Sequence, residues 1–132
     1  MPVFDSSESL YAILMEVFEQ VSAQPENIQE FMRSNLVVRI RFSDPEAEIL
    51  LDGRQPPLEV FTGPRPGDAN LEVSMQADLL HGIWTGAEST SQAFFSGKIK
   101  TKGNLFKAMK LVDLFHECER VYRPIATERG LA

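Results

Sequence analysis

At Leu36 the hydrophobic period of this chain changes from three-and-four to two, and that switch bounds the fold more tightly than any other feature. Upstream of it, Leu10, Ile13, Leu14, Val17, Phe18 and Val21 recur at three- and four-residue steps, the spacing of a helix with one buried face. Tyr11 and Met15 widen that stripe. Asp5 or Ser6 supplies the N-cap, with Glu8 placed to complete a capping box with Asp5. Pro25 suits the first turn of a short second helix, where its missing N–H costs nothing, and Ile28, Phe31 and Met32 make the inner face. Downstream, Leu36, Val38, Ile40 and Phe42 alternate with Val37, Arg39 and Arg41, the signature of a half-buried strand.

The period of two persists. Ser43-Asp44-Pro45-Glu46 is a turn, and Ala47 to Asp52 reads as the return strand of a hairpin. Gly53 and Pro56-Pro57 break it, Leu58 to Thr62 makes a third strand, and Gly63 to Asp68 a rigid loop. Asn70 to Gln76 is a fourth strand, with Leu71, Val73 and Met75 on one face. Asp78 begins or caps a short helix closed by Gly86, and Glu88 to Gln92 is a polar connection. Lys98, Lys100 and Lys102 then share one face of a fifth strand, with Ile99 and Thr101 on the other. Gly103 provides a close approach or an unusual φ, and Asn104 caps a last helix with Leu105, Ala108, Met109, Val112 and Phe115 inward, then Cys118 and Tyr122. Pro124 ends that helix.

Helices, a mostly antiparallel run of strands, then helix–strand–helix is an α+β layout. The 132 residues suit one domain. Its parts are N-terminal helices at 1–35, a sheet with an inserted helix at 36–103, a C-terminal helix at 104–124 and a loose tail at 125–132.

Charge narrows the function. The net charge of −6 argues against nucleic-acid binding, which needs a basic footprint. Yet all five lysines (Lys98, Lys100, Lys102, Lys107 and Lys110) lie in residues 96–110, which hold no acid. Lys98, Lys100 and Lys102 suit docking on anionic headgroups, at about 1 kcal/mol per basic residue near such a surface. The competing reading is a solvated edge strand guarded by lysines. The single Cys118 excludes an intrachain disulfide, so a reducing, cytoplasmic setting is expected. There is no basic leader with an apolar core, and no apolar run approaches the roughly 18–20 residues of a membrane span.

Catalysis finds little support. His116 and Cys118 are two apart and diverge by about 200° on a helix, so they do not form a nucleophile–base pair. His81 and Asp78, three apart, read as a surface contact. Neither a Gly-rich phosphate loop, a zinc spacing nor a G-x-S-x-G elbow occurs. No catalytic residue, metal ligand or cofactor is assigned.

Residues 69–111 resemble the sterol carrier protein type 2 family. The resemblance rests on Leu71-Glu72-Val73-Ser74-Met75, the acidic-start helix with Leu79-Leu80, Thr85-Gly86, Ala93-Phe94-Phe95-x-Gly97-Lys98-Ile99-Lys100, Gly103-Asn104 and Ala108-Met109-Lys110-Leu111. It implies a five-stranded sheet covered on one face by helices, enclosing an apolar tunnel for sterols, fatty acids, acyl-CoAs or phospholipids. The lining expected from it is Leu79, Leu80, Ile83, Trp84, Phe94, Phe95, Leu105, Met109, Val112 and Phe115. On the plain reading the same residues are the core of a small domain. Three functions follow: non-catalytic lipid binding and transfer, with transient contact with an anionic membrane; an accessory subunit presenting a lipid or quinone-like intermediate to an enzyme; or a ligand-free homodimer formed through the wide apolar first helix.

Overall fold

The computed structural model describes residues 3–131, apart from the side chain of Leu105. The helical period before Leu36 becomes α1 (Ser7–Ser22), a 3₁₀ turn (Pro25–Asn27) and α2 (Gln29–Arg33). Ser6, rather than Asp5, caps α1: its hydroxyl accepts the Ser9 N–H at 3.1 Å. The helix starts one residue later than an Asp5 cap requires, so the Asp5–Glu8 box does not form. Leu10, Ile13, Leu14, Val17, Phe18 and Val21 are all buried, as the period demands.

Five strands follow: β1 (Val37–Ser43), β2 (Ala47–Asp52), β3 (Glu59–Thr62), β4 (Leu71–Gln76) and β5 (Lys100–Gly103). They form one sheet in the order β3-β2-β1-β4-β5. β1 pairs parallel with β4, and the other pairings are antiparallel, so the sheet is mixed. The inner face carries Val38, Ile40 and Phe42, opposite Ala47, Ile49 and Leu51 on one side and Leu71, Val73 and Met75 on the other. These side chains join the buried stripe of α1 in one core.

Reaching β4 from β3 means crossing β2 and β1, and the 63–68 loop does so over the outer face. Arg39, an outer-face residue with its side chain 8% exposed, pins it there. Its Nη2 donates to the carbonyls of Arg65 (2.7 Å) and Gly67 (3.0 Å). The Arg65 guanidinium lies 3.7 Å above the Phe61 ring. Glu48 meets both Arg39 and Arg41 at 3.3 Å, and Arg41 reaches Glu72 at 3.0 Å, so the outer face is an ionic ladder.

After β4 come α3 (Ala77–Trp84), α4 (Thr90–Phe95) and α5 (Leu105–Glu128). Asp78 does not cap α3; Gln76 is the cap residue, and Asp78 accepts the Val3 N–H at 2.9 Å. The stretch from Glu88 to Gln92, expected as a connection, contains the start of α4. Ser89 caps that helix by accepting the Gln92 N–H, which lets Thr90 and Ala93 turn inward. Lys98 precedes β5 and lies outside the strand.

Two features fix the entry into α5. Gly103 has φ +124°, and a Cβ there would strike the Asn70 carbonyl oxygen, so both reasons for a glycine apply. Asn104 accepts the Phe106 N–H at 2.9 Å. The expected stop at Pro124 and the tail at 125–132 are corrected: α5 runs through Pro124 to Glu128. Proline removes one helical hydrogen bond, but Tyr122, Ile125 and Ala126 on both sides of it are buried, and that packing holds the turn. The helix ends in a Schellman motif. Gly130, at φ +74°, donates to the Thr127 carbonyl and Leu131 to that of Ala126.

Candidate functional site

Leu80, Ile83 and Trp84 of α3 and Phe115 of α5 are buried in the core that the helices share with the sheet, and Val112 of α5 is buried outside it. Trp84 is the centre of this group. Its ring meets Phe115 edge-on at 5.5 Å and Phe18 at 6.4 Å, and is tilted against Tyr122 at 5.2 Å. Its indole N–H has no protein acceptor, which costs about 1–3 kcal/mol for a buried donor. Leu79 and Phe94 are half-buried and pack on the edge of the core.

Two expected lining residues lie elsewhere. Phe95 is 92% exposed and Met109 57% exposed. On α4 the inward position belongs to Ala93, about 200° around the helix from Phe95. On α5 Ala108, Leu111 and Val112 take the buried positions and turn Met109 to solvent. The side chain of Leu105, also expected in the lining, lies outside the described residues.

A cleft of about 800 Å³ opens where β1 and β4 end and β5 begins. Phe42, Met75 and Leu79 give it apolar surface; Ser43, Ser74 and Gln76 give it neutral polar groups. Arg41, Lys98 and Lys100 bring cations, and Asp78 and Glu88 carboxylates. Lys98 is held by Glu88 at 3.0 Å and Arg41 by Glu48 and Glu72, whereas Lys100 has no carboxylate partner among the described residues. Of this set, Leu79 and the two lysines were candidates from sequence. Arg41 was not, because strand alternation placed it on the solvent side and could not show that the strand end brings that side to a cleft. Lys100 and Lys102 share the outer face opposite Ser74 and Glu72. A smaller apolar cleft of about 280 Å³ lies between α1 and the β3 edge, lined by Met15, Phe18, Leu58 and Val60 among others.

α3 and α5 are locked by a polar contact inside the apolar group. His81 Nδ1 and the Tyr122 hydroxyl are 2.7 Å apart. Burial pushes the Tyr122 phenol up, so it stays protonated and donates. Burial also lowers the His81 pKa, favouring the neutral ring that accepts. His81 thus pairs across to another helix, not with Asp78. Arg123 adds a bond to the Thr85 carbonyl at 3.1 Å. Cys118 is fully buried and desolvation raises its thiol far out of reach of neutral pH; His116 is exposed. Among the described residues no cluster of three His, Cys, Asp or Glu side chains could hold a metal ion, and no helix is long and apolar enough to cross a membrane.

A mixed five-stranded sheet with helices over one face, an apolar interior shared by α1, α3 and α5, and an amphipathic cleft at the strand ends is the α+β architecture that the resemblance to the sterol carrier family implied. The family model described as the SCP-2 sterol transfer family matches residues 15–116, and the chain belongs to that family. It is similar in fold to sterol carrier protein 2 from Yarrowia lipolytica in its apo form (TM-score 0.64, 18% identity, 86% of this chain and 91% of that one). It is also similar to the UbiJ-SCP2 ubiquinone synthesis protein (0.60, 18%, 86% and 90%) and to palmitated SCP2L2 from Aedes aegypti (0.56, 17%, 76% and 91%). At such identities these likenesses establish the fold alone. No curated protein matches the chain.

Proposed function

We propose that this chain binds one amphipathic lipid without transforming it, in a cytoplasmic setting. Lipid binding is the property of the SCP-2 family; the ligand's place and head chemistry are our reading. The observation that carries it is the cleft, which sets Phe42, Met75 and Leu79 beside Lys98, Lys100 and Arg41. An alkyl chain gains about 25 cal/mol per Å² of apolar surface it buries there. Lys100, without a carboxylate partner among the described residues, can meet an anionic head such as a carboxylate. Leu79 borders both the cleft and the core, so a chain longer than the cleft requires the packing of Leu80, Ile83 and Trp84, and of Phe94, Val112 and Phe115, to open for it. The palmitated relative makes a fatty acid the first ligand to test. Transfer or presentation of the lipid follows binding, and the fold it shares with a ubiquinone synthesis protein makes a quinone-like ligand the second.

The test is native mass spectrometry of the purified protein, with a fatty-acid titration followed through Trp84 emission. Bound lipid and a saturable change are expected. Leu79→Ser should weaken binding at least tenfold, and the melting temperature, lowered by the lost packing at the core edge, is read beside it so that binding is compared on folded protein. Protein that carries no lipid and an emission that no fatty acid or quinone alters would end this reading.

A further inference from the structure

The described residues leave three large apolar side chains exposed, Phe95, Phe106 and Met109; Phe106 and Met109 fall in the stretch that carries every lysine, and Phe95 stands just before it. Phe106 (89% exposed) and Met109 (57%) are three residues apart on the first two turns of α5, and so share one face. No interior demand explains them, because Ala108, Leu111 and Val112 already supply the buried face of these turns. Burying a phenylalanine or methionine contributes more than leaving it in water, so two on one exposed face mark a surface that meets something apolar.

Charge identifies the occupant. Lys102 precedes Phe106 across the Gly103-Asn104 turn, Lys107 follows it, and Lys110 lies one turn further on the same face. Lys110 is within 3.5 Å of Glu30, while neither Lys102 nor Lys107 has a carboxylate partner among the described residues. A cationic rim in a chain of net charge −6 is locally complementary to an anionic surface. Two side chains bury at most a few hundred Å², short of the roughly 800 Å² per partner of a stable protein interface. For a bilayer interface that area is enough, since insertion is shallow and the basic residues add their own attraction.

We infer that the start of α5 is a membrane-docking wedge: Phe106 and Met109 enter the interface of an anionic bilayer while Lys102 and Lys107 meet its headgroups. It rests on the lipid-binding reading for its purpose but not for its test. It also moves the weight of docking from Lys98, which is tied to Glu88, to the helix end.

The test is co-flotation with phosphatidylcholine vesicles, pure or with phosphatidylserine added. The unaltered chain should float with the anionic vesicles only, and less as salt rises. Phe106→Ser with Met109→Ser should lower that partition at least tenfold. Lys102→Gln with Lys107→Gln should lower it about 25-fold, at about fivefold per basic residue, the equivalent of about 1 kcal/mol each. Both variants change surface residues, so fatty-acid titration and melting temperature should match the unaltered chain. Docking lost with titration intact separates this inference from the lipid-binding reading. Equal flotation with neutral vesicles, no flotation with anionic ones, or double variants that float like the parent would overturn it. So would a concentration-dependent dimer abolished by the Phe106/Met109 changes without vesicle binding, which would assign the face to a second copy.

Discussion

Replacing Trp84 tests whether the interior is the close-packed aromatic group described. The ring is fully buried and contacts Phe18, Phe115 and Tyr122. Truncation of a tryptophan to alanine in such a site costs about 3–5 kcal/mol in lost transfer energy and cavity formation. For a domain of this size each kcal/mol moves the melting temperature by roughly 4 °C, so Trp84→Ala should melt about 12–20 °C lower. Trp84→Phe is the informative companion. It keeps an aromatic ring and removes the orphaned indole N–H, whose relief of about 1–3 kcal/mol offsets much of the lost area. Its loss should be less than half that of the alanine variant. Calorimetry of the three proteins, with and without fatty acid, reads all of this. A ligand at 100 times its dissociation constant stabilises by about 2.7 kcal/mol. If the chain of the lipid reaches the cavity left by Trp84→Ala, the variant should gain more from it than the parent. A loss below about 1 kcal/mol for Trp84→Ala would refute the packing argument, and equal losses for Ala and Phe would refute the account of the N–H.

Gly103→Ala should cost about 2–3 kcal/mol, read as a lower denaturation midpoint, because φ +124° is strained for alanine and the Cβ meets the Asn70 carbonyl. His81 makes stability depend on pH. Its folded pKa lies below 6.5, so the unfolded chain binds more protons in acid: stability is complete above about pH 6.5 and falls as pH drops through that value toward the folded pKa. Melting curves from pH 7.5 to 5 should show a decline that His81→Gln flattens. Cys118 should resist thiol reagents in the native state and react only on unfolding, since it is buried and its thiol raised; rapid labelling without denaturant would contradict its position.

Much of this fold was legible in the sequence because its signals are periodic. The α1 stripe, the β1–β2 hairpin and the β4 face all follow from one-sided burial. What escaped was set by tertiary contact. A proline normally stops a helix, and only the burial of Ile125 and Ala126 shows why this one does not. The six residues of α4 are too few for a period to register, although the Ser89 cap was there to be read. The candidate site was harder. Apolar residues on a short helix carry no label for inside and outside, so Phe94 and Phe95 looked alike until the helix phase separated them. The apolar face of α1, one basis for expecting self-association, is spent largely on the chain's own core: Leu10, Leu14 and Phe18 are buried, and the Tyr11 hydroxyl accepts the Glu48 N–H at 3.1 Å.

The outer-face ladder of Arg39, Arg41, Glu48 and Glu72 gives the two sides of one sheet opposite responses to dissolved ions. Sodium chloride screens the partly exposed pairs of Arg41 and loosens that side, while the helix-covered side, held by apolar burial, is indifferent to it. Sulfate also strengthens the helix-covered side by its exclusion from apolar surface. At equal ionic strength the two salts should therefore separate the sheet's layers: the Arg41 pairs with Glu48 and Glu72 weaken in both, and amide exchange in α3 and α5 slows only in sulfate.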